Sequence, residues 1–521
     1  MSSRPLHPEY ELAARDSLDA EGIFNLDDAD FEAQVPLGSR SRPHQYRWLP
    51  RMFSSTWSGY HRLKSKSRPV LVKSTRRPSC LPRLFRRRCC YLHLILAFLF
   101  ALLFLTSIVC PSYTHPPSHY YSLRFLARNT TEAGRGNLRN EKVFIAASLY
   151  DRDGELAGGH WGAQLLELIH LLGEQNVFVS IYENDGGVEG KRALRELEKQ
   201  ITSRKSIVFE EHLDLKTVPT VVIPGGEKRV KRIEYLAQVR NKALQPLNDD
   251  PHTRYDKLLY LNDVLFDPVD ALQLLFSTNA NKIGMAEYRA ACAVDFANPF
   301  KFYDTYATRD LEGFGMGVPF YPWFSTAGSG ESRKDVLQGK DAVRVRSCWG
   351  GMVAFDAKYF QTKLPDRSSP ARFRSGDDLF WEASECCLIH ADIQDPQSYL
   401  NNVVDTGIYM NPYVRVAYDY RTLSWLGITR RFEKLYPLVH NIVNHLVGMP
   451  WLNPRRTEGP GQRVHEVVWI PDERHSGGGS FQSVDRIAGN DGYCGRRGLQ
   501  VILENREPGQ KGYEDIPVPS A

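Results

Sequence analysis

Residues Lys257–Phe266 read KLLYLNDVLF. The first five, KLLYL, are a short apolar run of strand length, and such a run reads as a strand buried on both faces. It stops at Asn262-Asp263, and apolar residues resume as Val264-Leu265-Phe266 before Asp267-Pro268. The pattern predicts a buried strand with a polar turn at its carboxyl end. Working outward, Val143–Leu149 (VFIAASL) and Asn176–Tyr182 (NVFVSIY) read as two more buried strands, with shorter ones at Ile207–Phe209 and Ile283–Ala286. Between them, His160–Leu172 (HWGAQLLELIHLL), Gly190–Ile201, Ile233–Leu244 (IEYLAQVRNKAL, stopped by Pro246) and Asp270–Phe276 carry helical spacing. Strands alternating with helices predict an α/β fold with a mostly parallel sheet covered on both faces. Such sheets bind ligands beyond the carboxyl ends of their strands. Ser148-Leu149-Tyr150-Asp151, Glu183-Asn184-Asp185-Gly186-Gly187 and Asn262-Asp263 all fall at those ends.

The chemistry of these clusters leaves specific alternatives. A strand-terminal carboxylate such as Asp263 suits a hard divalent ion, Mn²⁺ or Mg²⁺, which takes carboxylate and phosphate oxygens together. An Asx turn closing the strand would use the same residue type. Glu183 and Asp185 either meet a ribose hydroxyl or cap the turn Asp185-Gly186-Gly187. Arg240, late in its helix, either offers a two-pronged fork to a phosphate or satisfies the helix carboxyl terminus. Later, VRVRSCWGGMVA (Val343–Ala354) places a glycine pair after Trp349, which suits close approach of backbone to a sugar. RFRSGDDLFWEASECCLIHAD (Arg372–Asp392) gathers Asp377, Asp378, Glu382 and Glu385. If helical, Asp378, Glu382 and Glu385 share one face, a carboxylate set able to accept hydrogen bonds from sugar hydroxyls. His390 reads as a metal ligand or a core histidine. Trp323, Trp349 and Trp381 either stack on pyranose faces or pack in the core.

A different signal precedes the globular part. Cys89–Cys110 (CCYLHLILAFLFALLFLTSIVC) contains no Asp, Glu, Lys or Arg. At ~1.5 Å per residue a helix of this length crosses a hydrocarbon core of roughly 30 Å. Arg83, Arg86, Arg87 and Arg88 lie just before it. Cations flank the cytoplasmic end of a span, which predicts a single-pass type II protein with a lumenal C-terminal part. A cleaved signal peptide would begin near residue 1. The predicted organisation is a basic disordered cytosolic tail (1–88), a signal-anchor helix (89–110), a lumenal stem (111–140) with the sequon Asn129-Thr130-Thr131, a globular domain (141–454) and a partly disordered C-terminal extension (455–521) that includes a Gly/Ser run at Ser476–Ser480. The chain has 521 residues, 42% hydrophobic and 24% charged, with net charge +5. Its Lys and Arg are concentrated between Arg40 and Arg88, a pattern that fits membrane orientation and anionic lipid and argues against nucleic acid. Of nine cysteines, Cys292, Cys348, Cys386, Cys387 and Cys494 fall on the lumenal side, where disulfides persist. At least one of these five is unpaired, and the absence of any CxxC argues against a zinc knuckle.

VFIAASLYD (Val143–Asp151), VSIYENDG (Val179–Gly186), YLAQVRNKAL (Tyr235–Leu244), KLLYLNDVLF (Lys257–Phe266), CWGGMVAFDA (Cys348–Ala357) and SECCLIHADI (Ser384–Ile393) together resemble the fungal α-1,3-mannosyltransferase family of cryptococcal mannosyltransferase and the capsule-associated proteins, glycosyltransferase family 69. The resemblance implies a GT-A type, Rossmann-like nucleotide-sugar transferase domain over 141–454. It implies GDP-mannose as donor, a divalent cation (usually Mn²⁺) and retaining transfer to the 3-hydroxyl of a mannose-containing glycan in the Golgi. In those terms Ser148, Tyr150, Glu183, Asp185, Arg240 and Asn262 are donor-binding candidates. Asp263 and His390 are metal candidates, and Asp377, Asp378, Glu382 and Glu385 are catalytic candidates. Asn262-Asp263-Val264 stands where such enzymes carry Asp-x-Asp. Two rival classes are a non-catalytic lumenal sugar-binding protein of the same fold and a membrane-anchored glycosidase, which needs two carboxylates flanking a sugar bond.

Overall fold

The computed structural model describes residues 81–364, 369–394, 404–472, 479–503 and 512–519. Most of the expected cytosolic tail and residues 476–478 of the Gly/Ser run lie outside these. The described residues divide into two units, one ending at Leu102 and one beginning at Leu103. Helix α1 (Leu81–Val109) carries the apolar run, and its side chains from Phe98 to Phe100 and from Leu102 to Leu105 are exposed. Among the described residues no helix is long and apolar enough to cross a membrane; the side chains of Cys89, Cys90 and Leu92 are outside that description.

The larger unit is mixed α/β. Its strands are β1 (Val143–Leu149), β2 (Val177–Asn184), β3 (Arg204–Glu210), β4 (Thr220–Val222), β5 (Lys228–Val230), β6 (Lys257–Leu261), β7 (Ala290–Phe296), β8 (Arg309–Asp310), β9 (Val343–Ser347), β10 (Met352–Asp356), β11 (Trp381–Ala383), β12 (Ile408–Ala417), β13 (Arg463–Pro471), β14 (Gly479–Ile487), β15 (Gly495–Arg497), β16 (Gln500–Ile502) and β17 (Tyr513–Asp515). The helices used below are α2 (Tyr121–Asn129), α3 (His160–Leu172), α4 (Gly187–Gln200), α5 (Arg232–Ala243), α6 (Pro268–Phe276), α7 (Glu385–Ile393), α8 (Tyr420–Thr429) and α9 (Tyr436–Val447). The strand and helix expected at Val143–Leu149 and His160–Leu172 form with those bounds.

Nine strands make one sheet in the order β3-β2-β1-β6-β10-β7-β12-β9-β8. Alternation along β1 shows how it is covered on both faces. Val143, Ile145, Ala147 and Leu149 join the core with α3 and α6, while Phe144 and Ala146 join the core with α5. The sheet is mixed rather than mostly parallel. β3, β2, β1 and β6 run parallel, and β10 enters antiparallel between β6 and β7. A run of apolar residues specifies burial but not direction, so the sequence reading missed this. Ile283–Ala286 is also not a strand. Asn281 Oδ1 accepts from the amides of Ile283 and Met285, both at 3.0 Å, and turns the chain there; the strand follows at β7.

Residues beyond 455 pack onto this unit. β15 pairs with β11, and Cys387 of α7 is bonded to Cys494 across a sequence separation of 107. A second disulfide joins Cys292 to Cys348, and the buried Cys386 belongs to neither disulfide. Cross-links over long loops restrict the unfolded chain most. Cys494→Ser should therefore destabilise the unit by about 2–5 kcal/mol and expose the segment after 455 to protease. Chemical denaturation of the two proteins under non-reducing conditions measures this, and an unchanged midpoint would show that noncovalent packing alone holds the segment.

Candidate active site at the strand ends

Register gathers the polar clusters on one edge of the sheet. Leu149 pairs with Glu183, and Ala147 with Leu261. Ser148–Asp151, Glu183–Asp185 and Asn262–Asp263 therefore sit side by side. The turn before β10 joins them, because the Asn262 amide donates to Gly351 O at 2.9 Å.

Beneath this edge lies a buried ion pair. Arg240, read in the sequence as able to reach a phosphate, donates through Nε to Glu385 Oε1 at 2.9 Å and through Nη1 to Asn262 Oδ1 at 3.0 Å. Its side chain is 5% exposed and that of Glu385 3%. The guanidinium lies 4.6 Å from the Trp349 ring centre and 5.5 Å from that of Tyr260, a placement in which aromatic faces attract the cation. The Tyr260 hydroxyl continues the network to Ser148 Oγ at 3.1 Å, and Trp161 Nε1 donates to Asn262 O at 2.9 Å. Ser148, Arg240, Asn262 and Glu385 are thus brought into one network. Asp263 and Tyr150, half-buried, follow it on the same edge.

The glycine pair serves the protein rather than a sugar. A Cβ on Gly350 would lie 2.0 Å from Ala293 O, and one on Gly351 2.4 Å from Val264 Cγ1. Both have φ near +60°, which glycine adopts freely. The three tryptophans named in the sequence are likewise core residues, at most 8% exposed.

Glu183 and Asp185 part company. Asp185 is half-buried in a left-handed conformation, its Oδ1 2.6 Å from His212 Nδ1 and its Oδ2 accepting from the Tyr235 hydroxyl at 3.4 Å. Glu183 is fully buried, and neither carboxyl oxygen has a hydrogen-bond partner among the described residues. Burial and the neighbouring Asp151 push it up to about 8. Asp151 itself accepts from the amides of Leu156 and Ala157 at 3.1 and 2.8 Å. A Cβ on Gly186 or Gly190 would come within 1.8 or 2.6 Å of Glu183 Oε1, so Glu183 is walled in and does not present a carboxylate to a ribose.

The later carboxylates do not share a helical face. Glu382 lies on β11 and Glu385 opens α7, separated by the N-cap Ser384. Strand pairing with β15, more than a hundred residues downstream, breaks the helix that the local spacing suggested. Glu382 accepts from the Gln500 amide at 3.0 Å, and burial raises its pKa. Asp378 pairs with Arg455, whose guanidinium lies 4.3 Å from the Trp381 ring centre. Asp377 is exposed. His390 is a buried histidine on α7 with Nδ1 2.7 Å from Cys386 O, and burial lowers its pKa to about 4. It clusters with Cys292 and Cys348 in a way that could suggest a metal site. Those sulfurs are bonded to each other, so neither offers the thiolate that a metal takes.

The sequence reading missed Asp295, at the carboxyl end of β7. This buried residue accepts from the Asp304 amide at 3.1 Å and from the Tyr418 hydroxyl at 2.9 Å. Burial and Asp304 push it up to about 8. A lone Asp closing an apolar run, AACAVDF, was the available signal.

Comparison with known proteins adds the following. Residues 142–392 match the model of a family described as cryptococcal mannosyltransferase 1. No curated protein matches the chain. Among solved structures, the mannosyltransferase PcManGT from Pyrobaculum calidifontis, in complex with GDP-Man and Mn²⁺, aligns with 67% of this chain and 74% of its own, at 12% identity and TM-score 0.29. Mannosyl-3-phosphoglycerate synthase from Rubrobacter xylanophilus aligns with 72% of this chain and 93% of its own, at 14% identity and TM-score 0.25. At these scores neither alignment carries a residue-level argument.

The buried Glu183 carboxyl generates a stability signature. Its folded pKa is raised, so between about 4.5 and about 8 the folded state holds a proton that the unfolded state releases. Stability must then fall as pH rises through that window. Glu183→Gln should match the wild type near pH 4.5 and exceed it by about 2–4 kcal/mol above pH 8. Denaturation midpoints of both proteins across this range test it; parallel curves would show that Glu183 is ionised in the folded state.

Proposed function

Residues 142–392 belong to the cryptococcal mannosyltransferase family, and from that premise we propose that the chain is a type II membrane mannosyltransferase of GT-A type, transferring mannose from GDP-mannose to a mannose-containing acceptor in α-1,3 linkage with retention. The observation that carries the proposal is the convergence, within the matched residues, of three polar strand ends over the Arg240–Asn262–Glu385 network. That is where an open α/β sheet takes a nucleotide.

The donor lies across the ends of β1, β2 and β6. Asp185 and Tyr150, the half-buried members, are the groups that a nucleoside reaches. Arg240 holds Asn262 and Glu385 in place beneath the edge, where the departing diphosphate gathers negative charge. Among the candidate ligands, Asp263 alone fits a divalent ion. Asn262 Oδ1 accepts from Arg240, and His390 is tied to Cys386 O within the core. One carboxylate suits Mg²⁺ or Mn²⁺, which keep waters and substrate phosphates in their shells. When bound, such an ion supplies Lewis-acid stabilisation to the leaving GDP. The acceptor hydroxyl approaches the face that GDP leaves, or a protein carboxylate forms a transient bond to the sugar.

The full chain incubated with GDP-mannose, Mn²⁺ and a mannoside should release GDP and extend the mannoside; neither product from folded protein would remove the enzyme reading. Asp263→Ala should abolish transfer and metal-dependent GDP binding, while the fold loses only ~1 kcal/mol. Full transfer by a folded variant would place the ion elsewhere.

The topology makes its own prediction. Asn129 closes α2 and is exposed, so a lumenal orientation makes its sequon usable. The tagged protein should shift on glycosidase treatment and Asn129→Gln should not. A protease-accessible C-terminus in intact microsomes would reverse the orientation.

A further inference from the structure

Helix α9 turns much of its apolar side outward. It buries two polar residues, His440 and Asn444, and leaves Leu438, Val439, Ile442 and Leu446 between 52% and 76% exposed, beside the exposed Asn441 and His445. The buried pair is well held. Asn444 Oδ1 accepts from the Val318 amide at 2.7 Å, and His440 bonds Val318 O at 3.1 Å and Arg333 Nη1 at 2.9 Å. Helix α8 does something similar. Thr422 and Thr429 are buried with Leu426, while Trp425 and Ile428 are exposed beside Arg421 and Ser424. Beyond α9, Trp451 and Leu452 are exposed as well. Water-facing helices place their polar residues outward, and contiguous exposed apolar surface marks a site of contact.

Charge and connection identify the occupant. From Tyr420 to Leu452 the chain carries Arg421, Arg430, Arg431 and Lys434 but only one acidic residue, Glu433. That glutamate is buried and held by Arg415 at 2.6 and 2.9 Å. The turn between α8 and α9 also bonds the end of the apolar helix. Arg431 Nη1 donates to Ser107 O at 3.4 Å, the Ser112 amide donates to Arg430 O at 3.3 Å, and Arg430 Nη1 donates to Tyr113 O at 3.0 Å. Phe104, Leu105, Ile108 and Val109, beside these bonds in sequence, are themselves exposed and apolar. Tryptophan with arginine and lysine beside an apolar surface is the composition of a lipid–water interface.

We propose that the exposed apolar side chains of α8 and α9, with Trp451 and Leu452, dock on a lipid surface and enter the headgroup boundary, where the exposed Arg421 and Arg431 meet lipid phosphates. The proposal deepens the membrane reading above and can fail separately from it. The test uses the full chain reconstituted in phosphatidylcholine vesicles with brominated acyl chains, which quench indoles in contact with them. Wild-type fluorescence should fall relative to unbrominated vesicles, and Trp425→Phe/Trp451→Phe should lose most of that difference. Both side chains are exposed, and circular dichroism checks that the variant folds. Equal quenching in the two proteins would overturn the docking face. So would disulfide-linked dimers of Ile442→Cys, which would give the face to a second copy. Quenching at the two tryptophans in a chain that alkaline wash strips from the vesicles would keep the docking face and overturn the spanning helix.

Discussion

The buried Arg240–Glu385 pair is the constraint on which the strand-end edge depends. Removing one partner of such a pair leaves an uncompensated charge in the interior, typically at a cost of about 3–5 kcal/mol. Here the pair also links three elements far apart in sequence. Arg240 comes from α5, Asn262 from the end of β6, and Glu385 from the first turn of α7. The Trp349 ring, from the turn before β10, covers the guanidinium. That turn is pressed against Ala293 and Val264 so closely that only glycine fits at 350 and 351. The edge is therefore a rigid platform, the condition for a site that must stabilise charge without reorganising.

What the sequence disclosed follows from the range of each interaction. β1, α3 and β6 were legible because each is specified by its own apolar pattern. The parallel register that brings Tyr150, Asp185 and Asp263 to one edge followed from strand–helix alternation, a property of neighbouring segments. The direction of β10 was hidden, since antiparallel insertion between β6 and β7 is decided by partners rather than by the run MVAFD. The carboxylate series from Asp377 to Glu385 was misread for the same reason. Helical spacing is local, whereas the strand at Trp381–Ala383 exists through its pairing with Gly495–Arg497.

That pairing changes the part played by the late carboxylates. Asp378 and Glu382 fasten the C-terminal segment, one through Arg455 and the other through the Gln500 amide. Lys231 joins the two sides, its Nζ donating to Gly376 O at 2.8 Å and Asp378 O at 3.2 Å while its backbone bridges to Val501. The Cys387–Cys494 bond closes the same seam covalently. Residues beyond 455 thus help to set the position of α7, and with it Glu385, so the segment contributes to the edge from a distance.

The acidic residues of the edge divide by environment, and the division assigns the work. Glu385 is buried against a permanent cation. Glu183 and Asp295 are buried beside other acids and held up to about 8, where a carboxyl favours its neutral form near neutral pH. A neutral carboxyl offers little to a divalent ion, whose ligands must be deprotonated. Asp263 differs from all three in being only half-buried at the end of its strand. Of the strand-end carboxylates Glu183, Asp185 and Asp263, the last two are half-buried, and Asp263 stands directly after the Asn262 that Arg240 holds in place.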